Sequence, residues 1–179
     1  IGCASTDVGN PITTEITFAG YDGSGPQPTG LVLDTGVTIE SAYLKVRSFK
    51  LDRSDECDAV DSNFDGVVLV DLIEQSLSDV PLWEDEAGTF CRLRLQFTTD
   101  SAEGQPEGLD GASLYVRGTG PEGDTFTLSL TAEPTLSLAG PFTLPKGSHL
   151  LQVGFFLGEW FAGIDPTSLS GDVDITETD

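Results

Sequence analysis

The chain has no methionine, one histidine, three cysteines and eight lysines or arginines against thirty aspartates and glutamates, giving a formal charge of −22 over 179 residues. Each shortage excludes a class of function. A nucleic-acid binder displaces counterions with a cationic surface, and this chain carries the opposite field. The same field opposes docking on anionic headgroups through protein charge. The single His149 follows Gly147-Ser148 in a strand-like run with no Ser or Cys nucleophile motif around it, so a Ser–His or Cys–His arrangement is not expected. No G-x-S-x-G, H-E-x-x-H, Walker or G-x-G-x-x-G pattern occurs, and three Cys with one His lack zinc spacing. Thirty acids produce neighbouring carboxylates by chance, so no glycosidase pair can be read from them. The uninterrupted apolar runs are only a few residues long, too short for a membrane-spanning helix. The expectation is a non-enzymatic protein.

What is present points to a folded β protein. Hydrophobic residues make up 38% of the chain, and ten Phe and two Trp need burial. The length suits one domain with enough core to stand without staples. Period-two alternation dominates: Cys91, Leu93, Leu95 and Phe97; Phe126, Leu128 and Leu130; Leu151, Val153, Phe155 and Leu157; Val173 and Ile175. Ile16 with Phe18, Leu31 with Leu33, Val67–Val70, and Leu114 with Val116 supply shorter strands. Turn signals such as Gly118-Thr119-Gly120-Pro121 and Pro145-Lys146-Gly147 separate them.

Ser41–Leu51 reads as one long strand with a fault. Ala42, Leu44 and Val46 share one parity, whereas Phe49 and Leu51 take the other. One extra residue near Arg47-Ser48 restores the phase, so a β-bulge is expected there, with a strand that changes sheet as the alternative. Only Asp71–Leu77 and Leu157–Ile164 allow a turn or two of helix. About nine strands at regular spacing predict an all-β fold, a single antiparallel β-sandwich of immunoglobulin-like kind over residues 12–179. Residues 1–11 form a tether.

Gly2 before Cys3 resembles the end of a bacterial lipobox, in which the signal peptide is cut just before a Cys that receives lipid. The alternatives are a free Cys on a loose terminus, or a disulfide to another chain. Cys57 and Cys91 remain as a pair. A bridge between them contributes about 3–4 kcal/mol on the chain-entropy model. An oxidising compartment favours it, and the acidic, lysine-poor composition agrees with export.

Thr38-Ile39-Glu40-Ser41-Ala42-Tyr43-Leu44-Lys45-Val46, then Phe64-Asp65-Gly66 before Val70-Asp71-Leu72, then Gly88-Thr89-Phe90-Cys91-Arg92-Leu93-Arg94 resemble the DUF4382-type family. Its members are bacterial lipoprotein-like domains, and the likeness spans roughly residues 37–97. The resemblance implies a transthyretin-like sandwich and brings no catalytic residues.

Three groups are candidates for binding. Asp61-Ser62-Asn63-Phe64-Asp65-Gly66 matches the start of a calcium loop, with side-chain oxygens at alternate positions of Asp61, Asn63 and Asp65. Leu72 stands where an EF-hand has Glu, so a calcium site here would recruit outside ligands from Asp55, Glu56 or Asp58; an Asx-rich turn without metal is the alternative. Lys45, Arg47, Lys50 and Arg53 lie on or just after one strand, and Arg92 and Arg94 on another. They form either cross-strand ion pairs or a basic seat for an acidic partner. Trp83, Trp160 and Phe161 stand outside clear alternation and either close the core or form a sugar-stacking or partner-binding surface.

These readings converge on an exported, lipid-anchored protein at the bacterial outer membrane surface or outside the cell, with a structural, adhesive or protein-binding role. A repeating subunit of an extracellular assembly is the second expectation, and a carbohydrate- or ligand-binding module with a calcium-stabilised loop the third.

Overall fold

The computed structural model describes residues 11–22, 30–53, 64–78, 82–161 and 165–175. Twelve strands occur among them: β1 Pro11–Tyr21, β2 Leu31–Val32, β3 Thr38–Arg53, β4 Phe64–Asp71, β5 Ser76–Leu77, β6 Leu82–Glu86, β7 Gly88–Phe97, β8 Leu114–Thr119, β9 Thr125–Leu130, β10 Thr135–Leu144, β11 Gly147–Phe156 and β12 Gly171–Ile175. Among the described residues helix is confined to α1, Leu157–Phe161, and to single 3₁₀ turns at Glu107–Leu109 and Pro166–Ser168. The fold is the all-β sandwich that the alternation predicts. Two of its pairings are parallel, β1 with β11 and β9 with β12.

One sheet has three strands in the order β11-β1-β6. The other is organised around β3, which meets β2 and β4 along one edge. Along its other edge β3 pairs with β8 as far as Leu44 and with β7 from Val46 onwards. β10 then pairs with β7, and β9 with β8. The inner faces meet in one hydrophobic cluster. Phe18 of β1 lies 5.7 Å from Phe49 of β3 and 6.3 Å from Phe155 of β11, ring centre to ring centre. Burying each such ring stabilises the fold by about 1.5–3 kcal/mol.

The fault in the long strand is a bulge. The register of β3 slips between Val46 and Ser48 against both β4 and β7. Ala42, Leu44 and Val46 before it and Phe49 and Leu51 after it are all buried. Against β7 the extra residue is Arg47, two steps along β3 answering one along β7, whereas against β4 the extra residue lies on β4 between Asp65 and Val68. The apolar face of β3 stays inward on both sides of the slip.

Asp71–Leu77 forms a tight turn followed by β5, where a helical turn is the sequence expectation. Asp71 Oδ1 accepts the backbone N–H groups of Ile73 and Glu74, both at 2.9 Å, and Gln75 has φ of 56°. An Asx cap followed by a left-handed residue closes the chain after one turn. The expected helix after Leu157 is present as α1.

Between β7 and β8 the chain makes a long excursion, residues 98–113, that leaves and returns at one residue. The Lys45 backbone N–H donates to Ser113 O at 2.9 Å, and its carbonyl accepts from Thr98 N at 3.1 Å. The Lys45 side chain is fully buried beneath that loop. Its Nζ donates to Thr99 O at 3.1 Å, Leu109 O at 3.2 Å and Gln105 Oε1 at 3.4 Å. Burial lowers the Lys45 pKa from its ordinary value, partly opposed by the charges of Asp110, Asp100 and Glu133.

Candidate functional site

β10 and β11 are joined by the short Pro145-Lys146 turn yet belong to different sheets. Each is the last strand on its side: among the described residues β10 pairs only with β7, and β11 only with β1. The sandwich is therefore open between them. At the end away from the turn the opening is a groove of about 540 Å³. Leu136 and Leu138 of β10 form one wall, Phe155 of β11 and Trp160 of α1 the other, and Phe97, Leu114 and Leu130 also line it.

The chemistry of this side is unusual for such an acidic chain. Between Pro134 and Gly158 the only charged residue is Lys146, although 21% of the whole chain is charged. Natural sheet edges are normally blunted by charges, prolines or bulges, because unpaired N–H and C=O groups recruit further strands. β10 carries Pro141 and a register shift between Ala139 and Phe142. β11 carries no proline, no bulge against β1 and no charged side chain. On the outer face of the three-stranded sheet, Leu150 and Leu82 stand on either side of Glu15 and are 63% and 66% exposed. Phe156, at the end of β11, is 57% exposed and borders a smaller pocket of about 240 Å³ lined by Asp22, Asp34 and Glu159.

Of the predicted aromatics, Trp160 reaches the groove; it is half-buried and meets Phe155 edge-on at 5.9 Å. Phe161 is 2% exposed and packs edge-on against Phe126 at 5.8 Å, so it closes the core. Trp83 is placed by its backbone in β6, opposite Thr14, and its side chain lies outside the described residues.

The predicted basic residues do share one sheet, because β3 pairs with β7. Most of them are engaged within the chain. Lys45 is buried under the 98–113 loop, Arg47 pairs with Asp100, and Arg53 lies 2.7 Å from Asp85. Asp52 is fully buried and accepts from Arg92 Nε and Arg94 Nη2, each at 2.6 Å. Burial alone raises the Asp52 pKa, but the hydrogen bonds from Arg94 and Arg92 outweigh it and hold the carboxyl below its ordinary value. Lys50 is half-buried.

Cys3, Cys57, Asp61 and Asn63 lie outside the described residues; Asp65 is placed by its backbone opposite Ser48, its side chain likewise outside them. Among the described residues no group of three or more His, Cys, Asp or Glu is placed to hold a metal ion. His149 is partly buried, and its Nε2 is hydrogen-bonded to Pro145 O.

The alternation in Leu151, Val153 and Phe155 correctly places the inner face of β11. It does not disclose that, among the described residues, β10 and β11 are edge strands. The signal for that was the charge gap from Pro134 to Gly158. No protein-family model, curated protein or solved structure matches this chain.

Proposed function

We propose that this is a non-enzymatic, exported surface protein, anchored through lipid on Cys3, that binds another protein through the open side of its sandwich. The observation that carries the reading is the unblunted, uncharged edge of β11 beside an apolar groove, on a chain of net charge −22. A surface of that composition is costly to leave exposed unless something covers it.

Export is supported by the cysteines. In this reading Cys91 is disulfide-bonded, and its Sγ lies 3.4 Å from the carbonyl oxygens of Asp52 and Arg53. β3 ends at Arg53, four residues before Cys57, a span that extended chain covers easily. Cys57 is accordingly the partner in this reading, and an oxidising, extracytoplasmic location follows. Calcium at Asp61, Asn63 and Asp65 would brace the same segment; an unchanged melting temperature in millimolar calcium removes that element.

The test is site-specific photo-crosslinking in the cells that make the protein. A crosslinker at Leu150 or Phe156 is expected to give a discrete adduct with a second protein, and one at Glu122 none. Adducts at all three positions, or at none, overturn the reading. Mass spectrometry of the mature N-terminus is expected to show a lipid-modified Cys3, and an unmodified terminus removes the anchor.

A further inference from the structure

We propose that the occupant of the open side is an extended, alternately apolar segment of a cationic partner, added to β11 as a further strand. This deepens the protein-binding reading and rests on it. Three features fix the mode, the edge and the chemistry of the partner.

The mode follows from the backbone. β11 is paired residue for residue with β1 from Gly147 to Phe156, so among the described residues its other edge presents a full strand's length of ladder. A peptide lying there gains main-chain hydrogen bonds irrespective of its sequence. Its strand axis would sit about 4.8 Å from β11, on the side that faces the opening. Every second side chain would then point into the groove, toward Leu136, Leu138 and Trp160. That volume accepts several aliphatic side chains, and the side chains between them would stay in water.

The edge is β11 because β10, the other candidate, is broken by Pro141 and by its register shift.

The partner's charge follows from what surrounds the groove. Its Phe156 end opens on the pocket of Asp22, Asp34 and Glu159. A lysine or arginine at the end of the added strand meets carboxylates there, and the body field draws it in. A second copy of this chain brings another −22 charges to the same surface and is repelled. Charge complementarity therefore selects a basic partner over self-association.

The probe is a fluorescein-labelled peptide of four Val-Thr repeats flanked on both sides by lysine pairs, titrated into the full-length chain and followed by anisotropy. Saturable binding is expected, falling about tenfold or more when glutamate pairs replace the lysines. Replacing one central valine and one central threonine with proline, which removes a donor from each edge of the peptide strand at unchanged charge, is expected to abolish it. Asp34 and Glu159 are exposed, so the D34K/E159K double variant should melt like the parent and bind the lysine peptide about tenfold more weakly. Hydrogen exchange should slow at β11 amides in the complex. Equal binding of the proline peptide overturns strand addition; equal binding of the glutamate peptide overturns the basic partner. Concentrated protein that dimerises with β11 amides protected overturns the choice of occupant. If the Leu150 crosslink to a second protein persists while no peptide binds, strand addition falls and the protein-binding reading stands.

Discussion

The ammonium of Lys45 donates to the carbonyl oxygen of Leu109 at 3.2 Å, across 64 residues of sequence, from a side chain that water does not reach. The contact ties the middle of β3 to the far end of the 98–113 loop. The Lys45 backbone holds the two ends of the same loop through Thr98 and Ser113. A loop of this length, closed at one point, is an Ω-loop whose order depends on its anchor.

Replacing Lys45 with methionine keeps most of the packed volume and deletes the three donated hydrogen bonds. The carbonyls of Thr99 and Leu109 then lose their cationic donor, although loop opening restores water to them. The expected cost is about 2–4 kcal/mol in urea denaturation. Amide exchange should rise in residues 98–113 before it rises in β3 or β7. Uniform acceleration through both sheets instead would show that Lys45 supports the whole sandwich.

Asp52 stabilises the fold in a pH-dependent way. Its folded-state pKa lies below its unfolded value, so the stabilisation is fully present above the ordinary carboxylate range and is lost as pH falls through the folded value. Asp52→Asn should cost about 2–3 kcal/mol at pH 7, less than for a wholly buried pair, because the Arg92 and Arg94 side chains keep 31% and 25% of their exposure. The deficit should begin to shrink as pH drops below the ordinary carboxylate range and close as it falls through the lowered folded value. Denaturation midpoints from pH 7 to pH 2 check this. A deficit constant with pH would mean that the loss is one of packing rather than charge.

The bulge at Arg47 was readable without a structure because it is a conflict of parity. Ala42, Leu44 and Val46 cannot face the same core as Phe49 and Leu51 unless one residue is added between them. Lys45 was not readable in the same way. Its parity puts it on the outer face of the sheet, and only the 98–113 loop, folding back over that face, turns an outward lysine into a buried one. Asp52 shares that limit, since its pairing with Arg92 and Arg94 depends on the β3–β7 register. The open groove lies furthest from sequence reading, because it arises where two adjacent strands join different sheets.

Deleting Arg47 should therefore do far more damage than truncating it. Its ion pair with Asp100 is well exposed, so Arg47→Ala should leave the melting temperature close to the parent's. The deletion removes the extra residue and turns either Phe49 and Leu51, or Ala42, Leu44 and Val46, toward solvent. The expected result is loss of a cooperative unfolding transition, monitored by near-ultraviolet circular dichroism. A deletion variant that still melts cooperatively near the parent's temperature would mean that β3 can re-register elsewhere.

Trp160 and Phe161 are neighbours with opposite surroundings, and mutation should separate them. Phe161 is a core ring against Phe126, and Phe161→Ala should cost about 3–5 kcal/mol with a cavity that neighbouring side chains only partly fill. Trp160 borders the groove and is only partly covered, so Trp160→Ala should cost about 1–2 kcal/mol, since less area returns to water. The functional order should be reversed. Truncating Trp160 removes part of the groove wall and should weaken binding of the lysine-flanked peptide, whereas Phe161→Ala should leave it unchanged at temperatures where that variant stays folded. Thermal melts and peptide titrations on the same two variants provide the comparison. Parallel losses in both measurements would mean that the groove has no binding role apart from the stability of α1.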